Sequence, residues 1–190
     1  MTITSNDVAN RALQLCGDNV PPVTGQAPNF AGNIAAAAAL NSLYGQCVQT
    51  VAKQGMWDFT RNVATLSLSG NAAPFFWTYE YLYPTYAVEV WQIVPPTLTD
   101  QNNPLPQNWD IGNTLVNNVQ TKVIWCNLQN AQAIVDNAPQ ESTWDVLFLE
   151  AVVRLLASEL SMALFGKPDS AQSYLESGAA FEQIGEDREG

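Results

Sequence analysis

Histidine is absent from this sequence. Its absence removes the commonest general base, the usual metal ligand and every Ser-His-Asp arrangement. Positive charge is nearly as scarce. Seven Lys and Arg stand against 18 Asp and Glu, a formal net charge of −11. Arg11, Lys53, Arg61, Lys122, Arg154, Lys167 and Arg188 lie singly along the chain. Affinity for a nucleic-acid backbone comes from counterions displaced by clustered cations, so specific or tight nucleic-acid binding is not expected. An acidic surface still suits DNA passing close by, since like charge prevents sticking. Charged residues of both signs make up only 13%, about half the usual share. Asn, Gln, Ser and Thr fill the gap. A polar but weakly charged surface is poorly defended against self-association, which points to partners covering much of it.

Other absences narrow the chemistry further. Cys16, Cys47 and Cys126 are odd in number and far apart, so a disulfide framework is not expected and a reducing compartment is. Cys16 and Cys47 fall in apolar stripes and read as buried small hydrophobes. No C-x-x-C pair and no glycine-rich phosphate loop occurs, so neither a metal nor a cofactor is expected. Met1–Ser5 has no basic or apolar leader character, so no signal peptide is expected. The longest apolar stretch, 144–165, is broken by Asp145, Glu150, Arg154 and Glu159, which excludes a membrane span.

What is present falls into helix, strand and helix zones. Residues 5–16 predict a helix capped by Thr4 or Ser5, with Val8, Ala12 and Leu15 on one face and Gly17 at its end. After a Pro21-Pro22 loop, a second helix is expected over 30–54, with Asn29 as its N-cap. From Asn62 the period turns to two. Strands are expected over 63–68, 75–83, 88–94, 109–111, 114–116 and 122–128, with a hairpin turn at Gly112-Asn113 and a long loop over 95–106. A third helix follows Ser142 and Asp145, apolar on most sides, with a polar stripe of Glu150, Arg154, Ser158 and Ser161. Gly166 ends it and Pro168 opens a fourth. That helix should bury Ala171, Tyr174, Leu175, Gly178 and Phe181 and leave 185–190 as a loose polar tail. The fold class expected is α+β. It is a helical bundle of about four helices, 1–59 and 139–190, with a β-rich antiparallel insertion, 60–138, between the second and third.

Two features could carry chemistry. Asp58, Glu80, Glu89 and Asp110 stand near aromatic residues, and paired carboxylates of this kind serve glycoside hydrolysis; such residues are far more often solvated faces or local caps. The run from Phe75 to Tyr83 alternates Phe76, Thr78, Glu80 and Leu82 on one face with Phe75, Trp77, Tyr79, Tyr81 and Tyr83 on the other. Such a row stacks sugars in some proteins, and more commonly forms core or subunit interface.

The order of short elements is also informative. Leu15-Cys16-Gly17 precedes Pro21-Pro22-Val23, and a long helix leads into Gly55-Met56-Trp57-Asp58-Phe59, with Thr65-Leu66 beyond. A Tyr-rich strand, Tyr79-Glu80-Tyr81-Leu82-Tyr83-Pro84, runs on through Thr85-Tyr86-Ala87 to Val88-Glu89-Val90. Leu155-Leu156-Ala157-Ser158-Glu159-Leu160 stands before Gly166 and a last helix. This succession resembles the tail tubular protein A family, the head-to-tail connectors or adaptors of short-tailed bacteriophages and their relatives. It departs at Tyr83 and Tyr86, where Leu and Asp are usual. The resemblance implies a non-enzymatic virion protein of the phage neck, assembled in the host cytoplasm, with no cofactor and no membrane partner. It implies a homo-oligomeric ring, usually of twelve copies, beneath the portal protein and above the tail nozzle or next tail component, with DNA passing through the lumen. On that reading Trp57, Phe59 and Pro84 are structural anchors. Trp77, Tyr79 and Tyr81, with the tail Gly185, Glu186, Asp187, Arg188, Glu189 and Gly190, are candidate subunit or portal contacts. Two alternatives remain: a tail-completion or neck protein of a long-tailed phage, and a carbohydrate-binding or hydrolytic module built on the aromatic zone.

Overall fold

The computed structural model describes residues 3–17, 20–55, 57–96 and 107–189, with side chains as far as Phe181. Those residues form a mixed α and β structure with four α-helices and antiparallel sheets. The chain divides into two compact units, Met1–Phe59 with Pro139–Gly190, and Thr60–Ala138.

The first unit is helical. Helix α1 (Ser5–Cys16) starts in a reciprocal cap, because Thr4 Oγ1 accepts the Asp7 N–H while the Asp7 carboxylate accepts the Thr4 N–H. Its buried stripe is Val8, Ala9, Ala12, Leu13 and Cys16. That stripe is rotated from the expected one, which leaves Leu15 at the margin and exposed. Asn6 and Asn10 project from α1 and both donate to Val23 O at 3.1 Å. They fix the loop that leads into β1 (Thr24–Gln26) and β2 (Asn29–Ala31), an antiparallel pair.

The sequence pattern predicts a helix start in that place. The helix α2 (Ile34–Gln54) begins four residues later, and Asn33 rather than Asn29 caps it. The Asn41 side chain explains the difference. It accepts the Phe30 N–H at 2.7 Å and donates to Phe30 O at 3.2 Å, holding Phe30 extended. Gly25, at φ 81°, lies in β1 opposite Phe30, where a Cβ would stand 2.4 Å from Asn29 O.

Helix α3 (Val146–Leu160) is the centre of this unit, with α1, α2 and α4 (Pro168–Glu189) all packed on it. Phe148, Ala151, Val152, Val153, Leu156, Ala157 and Leu160 are all fully buried. Asp145 alone caps α3, accepting the Leu147 N–H at 2.7 Å, while residues 141–143 form a separate 3-10 turn. Ser158 and Ser161, expected in a polar outer stripe, are buried. Ser158 can be so because its hydroxyl donates to Ala171 O at 2.8 Å. The helix widens to a π turn over Ser161–Phe165 and stops at Gly166, φ 60°. In α4, Ala171 is buried but Leu175 is 45% exposed, against expectation. Helix α4 also runs on to Glu189, through the segment expected to be a loose tail. Gln, Glu and Ala around that boundary favour helix, and one glycine costs only about 1 kcal/mol. Gly190 lies outside the described residues.

The second unit is β. Strands β3 (Arg61–Thr65), β4 (Tyr79–Leu82), β5 (Ala87–Val94), β6 (Trp109–Val116), β7 (Val119–Cys126) and β8 (Gln132–Asn137) form two sheets, ordered β3-β8-β5 and β4-β7-β6. Ala64, Val90, Ile93, Ala133 and Val135 from one sheet share a core with Tyr81, Ile124 and Cys126 from the other. Three expectations fail here. Gly112-Asn113 is not a turn; β6 runs straight through it, and the hairpin closes at Asn117-Asn118, both left-handed at φ 51° and 62°. Strand β8 stands where no strand is expected, although Ala133 and Val135 alternate onto the core. The aromatic run forms a strand only over Tyr79–Leu82.

Candidate functional site

The residues before β4 are the most unusual surface of the β unit. Phe75 is 91% exposed and Phe76 is 76% exposed. Adjacent residues on a strand point to opposite faces, so both rings can be outside only because the chain turns. Pro74 O accepts the Trp77 N–H at 3.2 Å across that turn, and Phe75 occupies left-handed backbone at φ 57°. A bulky residue there costs about 1–2 kcal/mol. Next to them Trp77 is half-buried, its ring 5.0 Å from that of Phe76. The turn is tied down at its far end by Thr78, whose N–H and hydroxyl both donate to Asn127 Oδ1, at 2.8 and 2.9 Å.

Tyr79 and Tyr81 point the other way, into the core between the sheets. Their rings lie 6.1 Å apart. Tyr81 is 2% exposed and its hydroxyl donates to Leu128 O at 2.8 Å. Neither is placed to stack a sugar from solvent. Tyr83 is partly buried beneath the Lys122 ammonium, 3.7 Å from its centroid, and burial with the charge of Glu89 pushes its phenol up to about 12. Pro84 begins the turn into β5, its carbonyl accepting the Ala87 N–H. Trp57 and Phe59 belong to the helical unit, where Phe148 meets both edge-on at 5.1 and 5.2 Å. The Trp57 indole donates to Val51 O at 3.0 Å. Of the tail, Gly185–Glu189 is helical backbone, and its side chains lie outside the described residues.

Of the carboxylates considered for hydrolysis, Asp58 and Asp110 are exposed, Glu89 is half-buried and Glu80 is buried. Glu80 is 2% exposed. It accepts from Ser69 Oγ at 2.7 Å, Asn71 Nδ2 at 3.1 Å and Trp125 Nε1 at 2.8 Å. Asp136, 1% exposed, accepts from Thr60 Oγ1 and the Trp91 indole. Both are polar struts inside the β unit. The three thiols are free and buried. Burial, then the charge of Glu159, pushes Cys47 up to about 12, and burial raises Cys16 and Cys126. Protonated thiols are poor nucleophiles. Among the described residues no group of His, Cys, Asp or Glu is placed to hold a metal, and no helix is long and apolar enough to cross a membrane.

No protein-family model matches this chain, and no curated protein matches it either. Phe75 and Phe76 therefore stand on geometry alone, as an exposed aromatic pair. A single strand over 75–83 would not expose both; their signal in the sequence is Pro74 directly before two adjacent phenylalanines, which breaks the alternation.

Proposed function

We propose that the chain is a structural, non-enzymatic head-to-tail adaptor of a tailed phage. In this reading the four helices form a bundle and residues 60–138 are a β-rich insertion between its second and third helices. Copies assemble into a ring beneath the portal, the tail nozzle or next tail component attaches below, and DNA passes through an acidic lumen. The observation that carries the reading is the exposed Phe75–Phe76 pair, kept outside on a turn that costs backbone energy. Exposed aromatic pairs of this kind mark protein contacts. The burial of Glu80 among the neutral donors Ser69, Asn71 and Trp125, together with the protonated thiols, supports a role without chemistry. The order of elements that resembles the tail tubular protein A family supplies the choice of partner.

The test is electron microscopy of the purified chain mixed with the portal protein of the same phage. A ring-shaped layer added to one end of the portal is expected. A chain that stays monomeric and leaves the portal bare would sink the adaptor reading, and glycan binding by that monomer would favour the carbohydrate module instead.

A further inference from the structure

Between β3 and β4 the chain crosses one face of the β4-β7-β6 sheet. Ser67 and Ser69 pair with the edge of β4, through Leu82 N–H to Ser67 O at 2.8 Å and Ser69 N–H to Glu80 O at 3.0 Å. Asn71 then spans the sheet. Its Nδ2 donates to Glu80 Oε1 on one edge strand and to Leu115 O on the other, both at 3.1 Å. Glu80 lies on the face opposite Tyr81, so this crossing covers the side turned away from the core. Along it Gly70, Asn71, Ala72, Phe75 and Phe76 are exposed, and Ala73, Pro74 and Trp77 are half-buried.

What closes the crossing is the Glu80 carboxylate. It receives hydrogens from two residues of the segment, Ser69 and Asn71, and from the indole of Trp125 on the central strand β7. All three donors are neutral. A carboxylate is an acceptor at every lone pair, so it can serve three donors at once; an amide in its place would turn a donor toward another donor. The arrangement is a clasp, with the strap on one side and the sheet on the other.

We propose that residues 69–78 are a strap latched to the sheet by Glu80, and that this latch sets the position of the Phe75–Phe76 tip. The latch opens as a local event, with the two sheets and their shared core intact. The idea does not depend on the adaptor reading, because it concerns only the β unit.

Hydrogen exchange on the full chain tests it. The reporters are the bonded strap amides of Ser69, Asn71, Trp77 and Thr78; those of Ile124 and Cys126 in β7 are the controls. Asn71→Ala removes one exposed side chain, and Glu80→Gln removes the carboxylate while keeping its size. Both variants are expected to speed strap exchange about tenfold or more, as loss of one or two charge-assisted hydrogen bonds implies, with the β7 controls unchanged. Unchanged strap exchange in Asn71→Ala would overturn the latch. So would equal acceleration of strap and β7 in a folded Glu80→Gln protein, which would make Glu80 a strut of the whole unit. If Glu80→Gln does not fold, Asn71→Ala decides alone: faster strap exchange upholds the proposal and unchanged exchange ends it.

Discussion

At the scale of the residue, Gly112 shows how a neighbour distant in sequence overrides a local signal. Gly-Asn is a good hairpin dipeptide, yet the glycine is here because the Trp125 ring lies across β6. A Cβ on Gly112 would stand 2.0 Å from that ring. Trp125 is held in place by its hydrogen bond to Glu80, so it cannot swing aside without losing that bond. Gly112→Ala is therefore expected to destabilise the β unit by about 1–3 kcal/mol, the usual cost of overpacking. A urea midpoint equal to that of the native protein would show that the ring moves freely. Nothing in the sequence around 112 announces Trp125, so the dipeptide alone points to a turn there. The true turn, Asn117-Asn118, was legible in principle, since asparagine is among the few residues that accept left-handed backbone.

Elements defined by a strong period were readable, and those defined by side-chain hydrogen bonds were not. The third helix was legible because Leu, Val and Ala recur on nearly every side, and the observed α3 is the most deeply buried element. Its polar residues were misplaced, because Ser158 reads as solvent-facing until Ala171 O is seen to accept from it. The start of α2 differs from the expected one for a similar reason: only the Asn41 contacts to Phe30 show that residue 30 is strand. Within α3, burial now separates neighbours that the sequence treats alike. Leu156 is fully buried, whereas Leu155 is only half-buried beside α4. Leu156→Asp places an unpaired charge in the core and is expected to cost more than about 4 kcal/mol, enough to unfold a marginal protein. Leu155→Asp should lose less, about 1–2 kcal/mol, because its end can reach water. Circular dichroism melts of the two variants decide the matter; equal losses would mean that Leu155 is sealed as tightly as Leu156.

For the whole molecule the telling quantity is apolar surface that folding leaves uncovered. A chain this poor in charge has little to keep such patches apart, and Phe75 and Phe76 are the most concentrated of them among the described residues. Substituting both by Ser removes the tip and touches no core residue, so the melting temperature should move by no more than about 2 °C, as is usual for exposed sites. Under the adaptor reading the same variant should lose most of its co-sedimentation with the portal, since an aromatic anchor at the centre of a contact carries about 2 kcal/mol or more of binding. A truncation after Ile184 makes the second arm. It removes the end of α4, which the sequence pattern marked as the other candidate contact, and should likewise spare the melt. Loss of portal binding in the Phe variant alone places the contact on the β unit. Loss in the truncation alone places it on the last helix, and would leave the two exposed phenylalanines to some other neighbour in the assembly. Full binding in both would mean that neither surface meets the portal, and the adaptor reading would then lose the observation on which it stands.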